Sequence, residues 1–381
     1  MKPLEGLLVL DMSIFLAGPL CALRLGDLGA RVIKIERPDG GDLCRQLYIC
    51  DTEIDGDSML FHAINRNKQS FAADFKNPAD LQSVRALIAR ADVLVANFRP
   101  GVLEKFALDY PSVRKINPGI VYGSISGYGN VGPWKHKPGQ DLLAQALSGL
   151  MWLSGDGPAD APPVPMGLAV ADMFAGHFLA QGILAALVRR SKTGEGALVE
   201  TSLLESLIDF QFEVLTTHLN DGGKLPQRSE IGNAHAYLAA PYGVYRTSDG
   251  WLAVAMNPLD RLADLLDLPA LRGISRQDTF RRRDQIKRIL ADRFRSNTTA
   301  HWLAILEPAD VWCSQVLDWS KLLSHEAFGV LQMTRELISG GGTPMRSLAC
   351  PIRFDGQRPV FDAAAPRLGR HTQQIIEEFG L

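Results

Sequence analysis

The chain has 381 residues, enough for two or three domains or for one large domain with an insertion. Hydrophobic content of 46%, charged content of 22% and a formal net charge of -2 describe an ordinary globular protein and argue against a nucleic-acid or membrane surface. Five scattered cysteines (Cys21, Cys44, Cys50, Cys313 and Cys350) lack metal spacing, so reduced thiols in a cytoplasmic protein are expected rather than a disulfide framework.

The first third alternates strand and helix patterns. Leu7–Leu10 reads as a short buried strand, Ala17–Leu28 as a helix ended by Gly29, and Val32–Glu36 as the next strand. A helix over Pro78–Arg90, a strand over Val93–Val95, a short helix from Val102 and a strand over Ile120–Tyr122 continue the rhythm. Such βαβ alternation implies a parallel sheet covered by helices. Helices are then expected over Leu142–Leu153, Met173–Arg190 and Glu200–Leu219, followed by a linker at Asp221–Pro226. Tyr242–Tyr245 and Trp251–Val254 flank Thr247-Ser248-Asp249-Gly250 as a β-hairpin. Helical patterns at Arg261–Leu266 and Gln277–Leu306 and a final helix near Thr372–Phe379 complete the reading. The Arg281-Arg282-Arg283 run lies among Asp278, Asp284 and Asp292 and reads as a solvated helix face. No apolar run is expected to cross a bilayer, and no secretory signal is expected.

One carboxylate stands out. In Pro165–Gly176, Asp172 lies between an extended apolar run and a long helical pattern, at or just before the helix N-terminus. Exposed N–H groups and the helix dipole favour negative charge there. An ionised carboxylate so placed can act as a nucleophile, and it can equally serve as a plain helix cap. A dinucleotide site is a weaker alternative for the N-terminal unit. The strand–helix–strand ending in Glu36 has the outline, but Ser13–Pro19 lacks the G-x-G-x-x-G that lets backbone approach a pyrophosphate.

Several runs in shared order resemble the family III CoA-transferases: Leu10–Ser13 with Ala17-Gly18-Pro19, Asp27–Pro38, Asn65–Lys68 and Asn97–Gly101. Ser126–Gly129 with Gly132-Pro133, the Asp172 segment and Lys192–Gly196 continue it across most of residues 1–210. The resemblance is weaker through Gly232-Asn233 and Cys350-Pro351-Ile352. It implies an α/β fold with a Rossmann-like, CoA-binding large domain over 1–221, a small α+β domain over 222–325, and a segment, 326–381, returning to the first. It also implies a homodimer whose chains interlink like rings.

In chemistry the resemblance implies acyl-CoA:carboxylate CoA transfer through a mixed anhydride and an aspartyl-CoA thioester on Asp172. CoA is then a substrate, with no permanent cofactor and no metal, and the partners are an acyl-CoA donor and a small carboxylic acid acceptor. Oxyanion stabilisation is expected from N–H groups near Asp172. The alternatives are an alpha-methylacyl-CoA racemase-like isomerase or an inactive CoA-binding protein. Racemases of this fold carry Gly-His-Asp, where this chain reads Gly139-Gln140-Asp141, and Gln140 cannot shuttle a proton. Nearby His136 reads as a loop histidine.

The resemblance places Asp141 beside the nucleophile. It assigns Arg37, Asn97 and Phe98 to CoA, with Lys105 and, more weakly, Lys76 and Lys137 near its phosphates. Ser13, Ile14 and Ala17 would line the CoA channel through their backbone. Met151, Trp152 and Tyr237 are candidates for the acyl side. A glycine-rich lid would fall at Ala255-Met256-Asn257-Pro258, which has no glycine, while Gly340-Gly341-Gly342 reads as a turn.

Overall fold

The computed structural model describes residues 2–47, 49, 52–157 and 160–381. Cys50 lies outside the described residues; Cys21, Cys44, Cys313 and Cys350 are free thiols. The chain divides into two compact units. The first comprises 1–144, 169–210 and 329–381, the second 145–168 and 211–328. The stretch 145–168, expected in the large domain, therefore groups with the second unit.

The first unit is built on β1 (Leu8–Asp11), α1 (Ala17–Asp27), β2 (Arg31–Glu36), a short ladder of β3 (Glu53–Ile54) and β4 (Asp57–Ser58), and α2 (Met59–Asn65). It continues with β5 (Lys68–Ala72), α3 (Pro78–Ile88), β6 (Val93–Ala96), α4 (Tyr110–Ile116), β7 (Val121–Ser126) and α5 (Asp141–Ser148), within which the first boundary falls. After α6 (Val170–Thr193) come β8 (Ala197–Ser202) and α7 (Leu203–Phe210). Six parallel strands form one sheet in the order β5-β2-β1-β6-β7-β8, with Val9 paired to Val32 on one side and Val93 on the other. β1, β6 and most of β2 are buried on both faces, which their Val/Ile/Leu runs permit.

Three expectations change. Glu200–Leu219 is not one helix: Ala197–Ser202 is the sheet's edge strand and the helix starts at Leu203. An edge strand needs only one apolar side, so its Glu200 and Thr201 resemble a helix start. Leu142–Leu153 is broken at Gly149, whose φ of +83° ends α5. Lastly, α6 is long and apolar enough by length and composition to cross a membrane. It packs against α1, β7 and β8 of its own unit, as a core helix does.

In the second unit, α8 (Phe212–Asn220) is followed by β9 (Gly243–Arg246) and β10 (Trp251–Val254), the expected hairpin, then α9 (Leu259–Leu265), α10 (Arg276–Arg281), α11 (Arg283–Arg295) and α12 (Thr299–Leu306). β11 (Cys313–Gln315) pairs with β10 to complete a three-stranded antiparallel sheet. Trp302, Phe294 and Tyr245 anchor its core. After α13 (Trp319–Ser324) and α14 (Glu326–Leu331), the chain re-enters the first unit as the hairpin β12 (Thr334–Ile338) and β13 (Pro344–Leu348) and ends in α15 (Thr372–Phe379). The Gly340–Gly342 run is this hairpin's turn, held by Asp55, which accepts from the Gly341 N–H at 2.7 Å.

Candidate active site

Helix α6 begins with Ala169 as its N-cap, and no side chain of that residue can satisfy the open N–H groups. Asp141 does so from a distant part of the chain. Its Oδ1 accepts from the N–H of Ala171 at 2.7 Å and of Asp172 at 3.1 Å. Asp141 is buried, and the loop before it is seated by a glycine pair. A Cβ on Gly127 would lie 2.6 Å from the Gly139 Cα, so only glycine permits that crossing.

This corrects two expectations. Asp172 is not the cap: it is the third residue of α6, and Asp141 is the cap. The N–H groups of Ala171 and Asp172, expected as oxyanion donors, are committed to Asp141, and that of Met173 to the Ala169 carbonyl at 3.1 Å. Nor does the helix terminus simply hold Asp172 ionised. Burial first, and then the Asp141 charge, raise its pKa to about 7. A carboxylate so raised is a stronger base, and where ionised a better nucleophile, than an ordinary one.

The loops at the carboxyl ends of β1, β2 and β6 gather the residues expected to meet CoA, where ligands of parallel sheets collect. Ser13 is buried; its N–H donates to Asp11 Oδ1 at 3.0 Å, its Oγ donates to the same oxygen, and its carbonyl accepts from Lys34 Nζ at 2.8 Å. The Ile14 N–H donates to Asn97 Oδ1 and the Ile14 carbonyl accepts from Asn97 Nδ2, both at 2.8 Å. The backbone groups of Ser13 and Ile14, expected to face CoA, are thus engaged within the protein. Asn97 acts here as a clamp on the β1–α1 loop. Ala17 opens α1 and is buried.

Of the remaining candidates, Arg37 follows β2 and Phe98 follows β6, while the lysines and Gln140 lie on other loops and elements. Arg37 is exposed, with Nε on the Gly41 carbonyl at 3.0 Å. Phe98 packs partly against the first unit's core. Lys76 and Lys105 are exposed, as is Lys137, whose Nζ lies 5.6 Å from the Trp134 ring centroid. Gln140 is exposed, and its carbonyl accepts from the Ala144 N–H.

Sequence reasoning missed the charges beneath these loops. Lys34 Nζ pairs with Asp42 at 2.8 Å and Asp11 at 3.7 Å; Lys68 Nζ pairs with Asp11 at 2.7 Å and donates to the Pro19 carbonyl and Asn65 Oδ1 at 2.8 Å. Asp42 Oδ1 accepts from the Phe15 N–H at 3.0 Å. Burial alone would raise Asp11, yet the two lysines bring it down to about 2. Burial lowers Lys68 to about 8 despite Asp11, whereas Asp11 and Asp42 overcome burial and raise Lys34. The readable signal was a charge inside each apolar strand: Asp11 and Lys34 are register partners.

In the second unit, Trp152 is half exposed and the Met151 carbonyl accepts from the Val164 N–H at 2.8 Å. The Tyr237 N–H donates to His235 Nδ1 at 3.1 Å. Gln145 was also missed: its amide accepts from the Met166 N–H at 3.0 Å and donates to the Leu168 carbonyl at 3.2 Å, fixing the segment that runs into α6. Asn257, in the expected lid segment, is tied to Ala255 and Trp312.

The sequence profile of CoA-transferase family III matches residues 4–372. A mouse protein named succinyl-CoA:glutarate CoA-transferase is 34% identical over 390 residues, covering 99% of this chain and 86% of its own. An Acetobacter aceti protein named acetyl-CoA:oxalate CoA-transferase is 33% identical over 388 residues, covering 99% and 96%. The crystal structure of a CaiB/BaiF family protein from Brucella suis aligns with a TM-score of 0.84 at 32% identity over 99% of both chains. With a half-buried carboxylate in the first turn of a long helix, and likeness along nearly its whole length, this chain is an enzyme of CoA-transferase family III.

Proposed function

We propose that this protein is an acyl-CoA:carboxylate CoA-transferase that uses Asp172 as its covalent nucleophile. The observation that carries this reading is Asp172 itself, seated in the first turn of α6 with its pKa raised to about 7 by burial and by Asp141. Near neutral pH it is substantially ionised yet more basic than an exposed aspartate. The transferase names of its relatives support the direction of the chemistry.

The ionised carboxylate attacks the thioester carbonyl of an acyl-CoA. An Oδ–C bond forms, the C–S bond breaks, and CoA leaves as a thiolate, giving a mixed anhydride. The thiolate then attacks Asp172 Cγ and expels the first acid as its carboxylate, leaving an aspartyl-CoA thioester. An incoming carboxylate attacks Cγ and releases the thiolate, which takes the new acyl group and frees Asp172. No net proton is consumed. Asp141 positions the nucleophile through the α6 backbone. The exposed Arg37, Lys105, Lys76 and Lys137 supply charge for the CoA phosphates. Phe98 and the loop 13–17, clamped by Asn97, form the channel wall. Gln140 cannot accept a proton, which favours transfer over racemisation. The working unit in this reading is an interlinked homodimer in the cytoplasm, with a Rossmann-like large domain and a smaller one.

Intact-mass spectrometry after incubation with a panel of acyl-CoAs tests the mechanism. A hydroxylamine-sensitive adduct on Asp172, absent from Asp172→Ala, is expected. Transfer of CoA by Asp172→Ala at the wild-type rate would refute it.

A further inference from the structure

Helix α5 inverts the usual amphipathic pattern. Leu142, Leu143 and Leu147 are exposed, whereas Asp141 and Gln145 are buried, Gln145 to 1% exposure. Burying an amide is unfavourable unless its donor and its acceptor are bonded, and a leucine would fill the same place without that penalty. Both ends of the Gln145 amide are used. Its Oε1 accepts from the Met166 N–H at 3.0 Å and its Nε2 donates to the Leu168 carbonyl at 3.2 Å. A donor on one side and an acceptor on the other admit a single orientation of the amide.

Asp141 and Gln145 are four residues apart, so they lie on one face of α5, roughly 6 Å apart along its axis. Their targets run in the reverse order: Asp141 takes the N–H groups of Ala171 and Asp172, and Gln145 takes Met166 and Leu168. The chain leading into α6 therefore passes back along this face of α5. Residues 162–169 belong to no helix or strand, so this stretch has no ladder of its own to hold it. The start of α5 is itself seated against the loop after β7 by the crossing of Gly127 and Gly139.

A single helical hydrogen bond accounts for both grips. In an α-helix each N–H donates to the carbonyl four residues before it. For the Asp172 N–H that carbonyl is Leu168, and pairing the two would start α6 one residue earlier. Helix α5 takes both halves of that bond: Asp141 accepts from the Asp172 N–H at 3.1 Å, and Gln145 donates to the Leu168 carbonyl. The helix instead starts at Val170, with Ala169 as a non-helical N-cap at ψ +66° whose carbonyl accepts from the Met173 N–H at 3.1 Å.

We propose that Gln145 is a positioning residue for Asp172. Together with Asp141 it divides the hydrogen bond that would lengthen α6 backwards, and so fixes where the helix begins and where its third residue stands. The inference rests on the transferase reading and adds to it a residue that acts through the α6 backbone. Gln145 holds the carbonyl half and Asp141 the amide half. Releasing Leu168 offers the Asp172 N–H a second acceptor and lets the carboxylate shift. A displacement of about 1 Å at a reacting group slows a reaction by ~100-fold.

The test measures exchange of label between an acyl-CoA and its own free acid, with acetyl-, butyryl-, succinyl- and oxalyl-CoA as the panel and the fastest donor carried forward. Three variants separate shape, polarity and reach. Gln145→Met keeps the shape without the hydrogen bonds, and Gln145→Asn keeps the amide one methylene short of its partners. Each is expected to lower kcat by ~10- to 100-fold with KM for the acyl-CoA within ~3-fold of wild type. Gln145→Glu at pH 6 presents a carbonyl to Met166 and, protonated, an O–H to Leu168; burial and the nearby Asp141 keep the proton on. It should hold kcat within ~3-fold of wild type at the same pH. Circular dichroism establishes folding, and if Gln145→Met does not fold, Gln145→Asn decides. Wild-type kcat in folded Gln145→Met or Gln145→Asn overturns the inference and leaves the transferase reading intact, as does Gln145→Glu as slow as Gln145→Asn. If the wild type exchanges no donor, the transferase reading fails and the crystal structure of Gln145→Asn decides the inference. A helix starting one residue earlier, with the Leu168 carbonyl on the Asp172 N–H, supports it; an unchanged start overturns it.

Discussion

Asp172→Asn should make the protein more stable while abolishing its chemistry, and the gain should depend on pH in a defined way. The Asp172 carboxyl rises from 3.8 to about 7 in the folded chain. In the unfolded chain it ionises near its ordinary value, so folding opposes its ionisation. Stability from the neutral form is fully present below about pH 4 and is lost as pH rises toward 7. Once both states are ionised, the cost reaches about 4 kcal/mol. Asparagine keeps the shape and carries no charge at any pH. Urea denaturation of wild type and variant at pH 4.5 and pH 8 measures the difference. The variant should gain little at the lower pH and up to about 4 kcal/mol at the higher. An equal gain at both values, or none at pH 8, would mean that Asp172 is not held in the environment described here.

Two further perturbations probe the neighbours. Asp141→Asn keeps an oxygen for the Ala171 and Asp172 N–H groups and removes the charge that helps to raise Asp172, so the acidic limb of the kcat/KM profile should move to lower pH. An unmoved limb would show that Asp141 does not act through its charge. Lys34→Met strips the Ser13 carbonyl of its donor and leaves Asp42 buried without its cation. A loss of about 3–5 kcal/mol in urea denaturation is expected, and a loss below 1 kcal/mol would contradict the ion-pair account.

Candidate residues were legible where chemistry-bearing side chains sit in contiguous motifs. Asp172 could be singled out because one carboxylate interrupts an apolar run ahead of a long helix, and Gln140 because it replaces a titrating residue at a motif position. Asn97 was placed after the Val93–Val95 strand, but its engagement with Ile14 needs the distance between two strand ends, 83 residues apart in the chain. The charges at Asp11, Lys34 and Lys68 read as oddities in strands until pairing neutralised them. Gln145 looked like any helix residue until its amide met Met166 and Leu168.

What the sequence determined alone was local and periodic: the apolar strand runs, most helix spans of the first third, the hairpin at Gly243–Val254 and the place of Asp172 near a helix start. These follow from side-chain spacing and backbone preference, which act over a few residues. The tertiary structure alone decided that Ala197–Ser202 is an edge strand, because pairing with β7 outweighs a weak helical pattern. It alone made Asp141 the cap of α6, because an open helix terminus takes whichever oxygen the fold delivers, here from 30 residues away. And it alone raised the pKa of Asp172, since burial and a neighbouring charge exist only once the chain has closed around them.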